Sequence, residues 1–248
     1  MLSVFDELAD GVFRRRYESL DINIGVILSD DGVLVIDTRC THAEADELRD
    51  DLRKLTPLPV RWVVDTHWHW DHTFGNSRFP EAEIWGHDRC RTEMVERGES
   101  MKDDAAEWLP DQRDEFRTVV ITPPTELFSE HAQVDMGSKI VSLSYHGLGH
   151  TNADIVISVE DDDVIFMGDL VEDGAPPVFD DGYPISWPQT LKSVLADGTT
   201  LIVPGHGDTM SRAVALGQLE EIGIVAGLAR QCIEESLPVA EAARLGPY

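Results

Sequence analysis

The chain has 248 residues, enough to bury one full hydrophobic core, so one domain (1–248) built as two tightly fused halves is expected. It carries 47 acidic residues against 20 basic ones, a formal charge of −27. Such a surface repels polyphosphates and argues against a nucleic-acid partner. No stretch of eighteen consecutive apolar residues exists, so no membrane contact through a spanning helix is expected.

Two features bear on location. Met1 to Asp10 is acidic and shows no basic-then-apolar leader. Cys40, Cys90 and Cys232 lie far apart with no C-x-x-C pattern, which suits reduced thiols. A cytoplasmic location is the expectation. The acidity itself has two open explanations. One is adaptation to high salt, and the other is a GC-rich genome, which also favours arginine over the four lysines present.

Strand-like runs open the chain at Gly11 to Tyr17, Ile22 to Leu28 and Val33 to Asp37. Asp30-Asp31-Gly32 makes a turn between the last two. Thr41-His42-Ala43-Glu44 has the form of a capping box, and Ala45, Leu48, Leu52 and Leu55 follow at helical spacing. A helix over 42–55 is therefore predicted, ended by Pro57 and Pro59. Val60 to Asp65 is β-branched and alternating, and a short strand follows at Ala82 to Trp85. Residues 87–117 are charged and mostly helical, with a break at Pro110.

Pro123-Pro124 marks the midpoint, and the two halves are expected to meet near 122–135. Strands are predicted at Lys139 to Tyr145, Ile155 to Val159 and Val164 to Met167. Asp161-Asp162-Asp163 reads as a hairpin turn between the last two rather than a cation site. A helix over about 187–196, a strand at Thr200 to Val203 and a long helix over about 211–236 complete the chain. Two strand-rich halves, each finishing in helix, suggest two sheets packed face to face with helices outside.

The chemistry concentrates in His67-Trp68-His69-Trp70-Asp71-His72, directly after the Val60 strand. His67 and His69 share a direction along extended chain, because side chains repeat every two residues. Asp71 and His72 fall where the chain turns and face a second point nearby. Two neighbouring metal ions use all four residues more readily than one. Three later segments share one design: Gly149-His150-Thr151, Gly168-Asp169 and Pro204-Gly205-His206-Gly207 each close an apolar run, with glycine beside the polar residue.

Taken in order, His67, His69, Asp71, His72, His150, Asp169 and His206 match the ligand set of the metallo-β-lactamase superfamily, which the chain resembles over nearly its full length. The similarity starts at Asn23-Ile24-Gly25 and Val35-Ile36-Asp37-Thr38 and runs through Pro204-Gly205-His206-Gly207. The resemblance implies an α/β fold, the αβ/βα four-layer sandwich of two mixed sheets flanked by helices. It also implies that His67, His69 and His150 hold one metal, that Asp71, His72 and His206 hold a second, and that Asp169 bridges them. Imidazoles and carboxylates in this number suit two Zn2+, with iron or manganese as alternatives.

His146, beside His150, is expected to lie at the surface or behind the ligands, and His42, His87 and His131 to be structural, in helical or loop settings. In similar proteins an aspartate at Asp37 braces the metal loop; a plain strand-end turn is the alternative. Trp68 and Trp70 either line the cleft or pack behind it. Val171 to Trp187 forms either an apolar loop over the site or an irregular crossover.

The implied function is a dinuclear zinc hydrolase. A metal-bridging hydroxide attacks a small ester, thioester or lactone, and Asp71 orients the water and shuttles its proton. A bridging aspartate sets the chain apart from true β-lactamases and nearer to thioesterases and lactonases. Only 42 residues follow His206, too few for the helical domain of glyoxalase II, and no tyrosine shortly follows Asp169 as in acyl-homoserine lactonases. β-Lactamase activity and an iron-dependent persulfide dioxygenase are the rival readings. The expected partner is a small neutral or weakly charged molecule, with Arg212 as the nearest cation, on a helix surface. The oligomeric state is left open.

Overall fold

A computed structural model describes residues 4–159, 162–198 and 200–245. Among these residues thirteen strands form two mixed sheets. The first holds β1 (Asp6–Ala9), β2 (Val12–Arg16), β3 (Asn23–Ser29), β4 (Gly32–Ile36), β5 (Val60–Val64), β6 (Glu83–His87) and β7 (Glu126–Phe128), in that spatial order. The second holds β8 (His131–Asp135), β9 (Ile140–Tyr145), β10 (Ile155–Val159), β11 (Val164–Gly168), β12 (Leu201–Pro204) and β13 (Met210–Ser211), ordered β13-β12-β11-β10-β9-β8.

Each sheet is antiparallel at its hairpins and parallel where a helix intervenes. The β1 to β4 run is antiparallel; β4 to β7 are parallel, as are β11 and β12. The helices are α1 (His42–Leu55), α2 (Trp70–Thr73), α3 (Asp88–Trp108), α4 (Arg113–Thr118), α5 (Trp187–Val194), α6 (Arg212–Glu234) and α7 (Val239–Ala242).

The local signals act as the sequence suggests. Thr41 Oγ1 accepts the Glu44 N–H at 3.2 Å, and the Glu44 carboxylate reaches back to the Cys40 N–H. The apolar stripe Ala45, Leu48 and Leu52 then packs on the outer face of the first sheet, against Ile24, Val35 and Val63. The inner faces meet through Ile27, Leu34 and Val64 on one side and Val141, Ile157 and Phe166 on the other. On the far side, α5 and α6 bury Trp187, Leu191, Ala215 and Ile222 against Val156, Ile165 and Ile202. This is the four-layer αβ/βα sandwich. Central strands such as β4 and β11 are buried on both faces, which is why they are apolar without alternation.

The differences lie at edges. β1, β7, β8 and β13 are short or polar and carry no clear alternation. His131 stands in β8, exposed, not in a helix or loop. The chain leaves the first sheet at Phe128 and enters the second at His131. β10 and β11 pair antiparallel around the Asp162-Asp163 turn; Asp161 lies outside the described residues. Cys40, Cys90 and Cys232 form no disulfide, and among the described residues no helix is long and apolar enough to cross a membrane.

Candidate metal centre

Five strands end at one edge of the sandwich, and their C-terminal ends deliver the polar residues. β5 runs into Thr66, His67 and His69, and the single turn of α2 then places Asp71 and His72. β4 delivers Asp37, β11 delivers Asp169 and β12 delivers His206, while His150 lies on the loop after β9. Backbone bonds tie these loops together: Thr38 N–H to His72 O at 2.7 Å, Ile155 N–H to Thr66 O at 2.8 Å, and Gly205 N–H to Gly168 O at 2.8 Å. Asn23 joins the sheets, donating its amide to Pro204 O and Gly207 O. Two glycines are required by the close approach. Gly168 has φ of +51°, and a Cβ on Gly205 would fall on the Asp169 carboxylate.

All seven residues singled out from the sequence converge. Their potential ligand atoms fall into two groups, His67, His69, His150 and Asp169 in one, and Asp71, His72 and His206 in the other. Asp169 lies between the groups. Its Oδ2 is 3.5 Å from His150 Nε2 and 3.4 Å from His206 Nε2, and its Oδ1 is 3.3 Å from His72 Nε2. Asp71 Oδ2 is 3.3 Å from His206 Nε2.

Each histidine turns one nitrogen inward and anchors the other outside. His67 Nδ1 meets Thr66 Oγ1 at 3.0 Å, and His72 Nδ1 meets Asp37 Oδ2 at 2.8 Å. His150 Nδ1 meets Val178 O at 3.2 Å, and His206 Nδ1 meets Leu20 O at 2.8 Å. His69 is reversed: its Nε2 meets Asp181 Oδ1 at 3.2 Å, and its Nδ1 points inward, 2.8 Å from His150 Nε2. Outer partners of this kind fix the tautomer that leaves a lone pair facing a metal. Inside, His67 Nε2 and Asp169 Oδ1 are buried with no hydrogen-bond partner among the described residues. Orphaned buried acceptors are costly unless something fills the space between them, so these residues fit a bound cation.

The charge states of His67 and His150 agree. Burial, reinforced by neighbouring His72, pushes His67 well below its usual range, and burial with His69 nearby lowers His150 to about 4. Neutral imidazole is the ligating form. Burial would also lower His72 and His206, but Asp169 and Asp71 outweigh it and raise both. Burial alone would raise Asp71; His72 and His206 hold it down at about 2. Five imidazoles and two ionised carboxylates, packed this closely, make a cradle for dications.

Several residues at the site carried no sequence signal. Leu20 and Val178 act through carbonyls, and Leu20, with Asp21, holds positive φ to do so. Thr66, adjacent to the motif, carries no signal of its own in the sequence. Asp181 belongs to the loop after Asp169, and its carboxylate also pairs with Arg97 at 3.1 Å. Arg97, from α3, lies over Trp68 and is the cation of the site; Arg212 instead donates to Leu195 O, away from the clusters. His146 meets Ser193 Oγ rather than the clusters, and His87 caps α3. His42 sits between Ser77 and Val120.

A cleft of about 810 Å³ opens above the clusters. Trp68 and Trp70 both line it, Trp68 buried with its Nε1 on Asn152 and Trp70 against Phe116. The segment from Glu172 to Asp181 forms one wall, so the loop after Asp169 does cover the site. It mixes four acids, Glu172, Asp173, Asp180 and Asp181, with the apolar run Ala175 to Phe179. Within it, burial and the Asp169 charge push the Glu172 carboxyl up to about 8.

Two sheets with helices outside, and a histidine-aspartate cluster at one sheet edge, define the class. Residues 19–206 match the family model of the metallo-beta-lactamase superfamily, and the chain belongs to that superfamily. It is similar to the acyl-coenzyme A thioesterase MBLAC2 of Bos taurus, 26% identical over 194 residues, 68% of this chain. The match spans 66% of that relative, just under two thirds of its length. Among solved structures, the metallo-beta-lactamase from Pontibacter korlensis aligns at TM-score 0.73 with 18% identity, covering 88% of this chain and 98% of that one. The mono-zinc form of FIM-1 from Pseudomonas aeruginosa aligns at 0.71 with 16% identity, covering 90% and 95%. A double mutant of the sec-alkyl sulfatase PisA1 aligns at 0.80 with 15% identity, covering 99% of this chain and 45% of that one. At these identities the structural likeness speaks for the fold.

Proposed function

We propose that the protein is a metal-dependent hydrolase acting on a small ester, thioester or lactone. His67, His69 and His150 would hold one ion; Asp71, His72 and His206 would hold a second, with Asp169 shared between them. Zinc is the chemical match for this donor set. When bound, such a pair supplies Lewis acidity and brings the pKa of water toward neutrality.

The chain's own residues do the rest. Asp71 is ionised and belongs to the second cluster, beside His206, so it would orient the attacking water and take up its proton. Asp37 and Thr66 hold His72 and His67 in the ligating tautomer. The indoles of Trp68 and Trp70 give the cleft an apolar wall that limits water around the scissile bond.

The observation that carries this reading is the pair of donor groups joined by Asp169, with His67 Nε2 and Asp169 Oδ1 left without partners. The similarity to a thioesterase supports an acyl substrate. Elemental analysis should find two ions per chain, and zinc-loaded protein should hydrolyse members of a panel of thioesters, lactones and aryl esters. A single tightly bound iron with persulfide oxidation, or cephalosporin turnover with no ester, thioester or lactone activity, would overturn it.

A further inference from the structure

The cleft above the clusters carries a charge pattern that hydrolysis alone does not need. Eight aspartates and glutamates line it, against Arg97 as the one lysine or arginine. Asp71 and Asp169 belong to the clusters, Asp21 is held by Arg16, and Asp181 is held by Arg97 and His69. The Arg97 guanidinium is itself engaged by Asp181 and Glu93 and lies 4.4 Å from the Trp68 ring centroid. Asp104, Asp173, Asp180 and Glu172 remain, and none forms an ion pair among the described residues.

A generally acidic surface accounts for exposed aspartates such as Asp104 and Asp180. It does not account for Glu172, which is only 8% exposed. Gln218 fixes its backbone with two bonds, accepting the Glu172 N–H and donating to the Glu172 carbonyl, each at 3.0 Å. Its Oε1 is buried and has no hydrogen-bond partner among the described residues. The Val178 backbone serves the carboxyl, but Oε1 itself has no donor, and a buried polar oxygen without one calls for a donor from a ligand. On the same rim Trp108 is 60% exposed, an indole face available to an alkyl chain or a cation.

We infer that the substrate of this cleft carries an alkylammonium group, whose N–H donors serve Glu172 and the rim aspartates while its alkyl part lies against Trp108. The inference rests on the hydrolytic reading for the bond that is cleaved, and adds the charge of the group beyond it. An acyl-coenzyme A, a polyanion, meets a wall of its own sign, so the substrate class departs here from that named for the thioesterase relative.

The test is a matched series of 4-nitrophenyl esters on zinc-loaded protein: 8-aminooctanoate, its neutral isostere nonanoate, and the anionic nonanedioate monoester. The amine ester should exceed the nonanoate in kcat/KM by about tenfold or more, and the anionic ester should be the poorest. In Asp104→Asn/Asp180→Asn, and in Glu172→Leu, which removes the Oε1 acceptor, the amine-to-neutral ratio should fall toward one. It should be kept in Glu126→Gln/Glu220→Gln, which removes the same surface charge elsewhere. A wild-type ratio at or below one, or a ratio equally reduced by the remote pair, overturns the inference while leaving hydrolysis intact. Should no ester of any charge be cleaved, the hydrolytic reading falls instead. Tryptophan fluorescence then decides the binding claim: octylammonium should bind at least several-fold more tightly than octanol, and equal binding refutes it.

Discussion

Asp37→Asn isolates the part of the site that fixes the ligands rather than supplying them. Asp37 is 2% exposed and accepts three hydrogen bonds, each at 2.8 Å. Oδ1 takes the Thr66 N–H, and Oδ2 takes the Thr66 hydroxyl and the His72 Nδ1–H. Because the Thr66 hydroxyl donates to Asp37, its oxygen accepts from His67 Nδ1. One carboxylate thus sets the tautomers of two histidines, one in each cluster. Asparagine keeps the shape, and it tolerates the positive φ of 66° found at Asp37. It offers only one acceptor oxygen, so its amide NH2 must face either Thr66 N–H or the Thr66 and His72 donors.

The loss is one charge-assisted bond of about 1.5–3 kcal/mol, with a buried donor left unpaired. A destabilisation of about 2–3 kcal/mol lowers the melting temperature of a chain this size by about 5–10 °C. Turning His72 to the wrong tautomer should also weaken metal binding by about 10- to 100-fold. Chelator competition on the zinc-loaded protein measures the affinity, and a melt of the metal-free protein measures the stability. A variant that binds both ions within about threefold of wild type and melts at the same temperature would refute the relay through Thr66.

Three further outcomes follow from the same geometry. Asp71→Ala should lower kcat by about 10²- to 10⁴-fold, while His146→Ala, on Ser193 rather than the clusters, should keep most activity; the reverse ranking in steady-state assays contradicts the assignment. Glu172, raised to about 8 by burial and then by Asp169, holds its proton more tightly when folded than when unfolded, where it titrates near 4.5. Its cost is therefore absent below about pH 4.5, grows between about pH 4.5 and 8 and levels off above, so metal-free Glu172→Gln should gain on wild type by a margin reaching a few kcal/mol near pH 9. A pH-independent difference in denaturant midpoints would count against it. Lastly, if the charge of −27 reflects life in high salt, molar KCl should raise the melting temperature by screening carboxylate repulsion, and a flat response assigns the composition to genomic bias.

The sequence by itself determined the elements whose signals are local. Thr41 and Glu44 start α1, the apolar stripe at Ala45, Leu48 and Leu52 orients it, and the unbroken apolar β4 and β11 announce strands buried on both faces. The seven residues of the two clusters were legible because donor chemistry restricts the residue types and glycine marks the tight turns that present them. Tertiary structure decided what depends on neighbours remote in the chain. Leu20 O and Val178 O hold His206 and His150 through backbone atoms that every residue possesses, so no side chain announces them. Asp181 and Arg97 are ordinary charges until α3 and the loop after Asp169 meet over Trp68. Glu172 looks like one more surface acid in a very acidic chain. Only the fold takes its carboxyl oxygen out of water, and burial, which no short window of sequence encodes, is what turns a solvated carboxylate into a group in need of a partner.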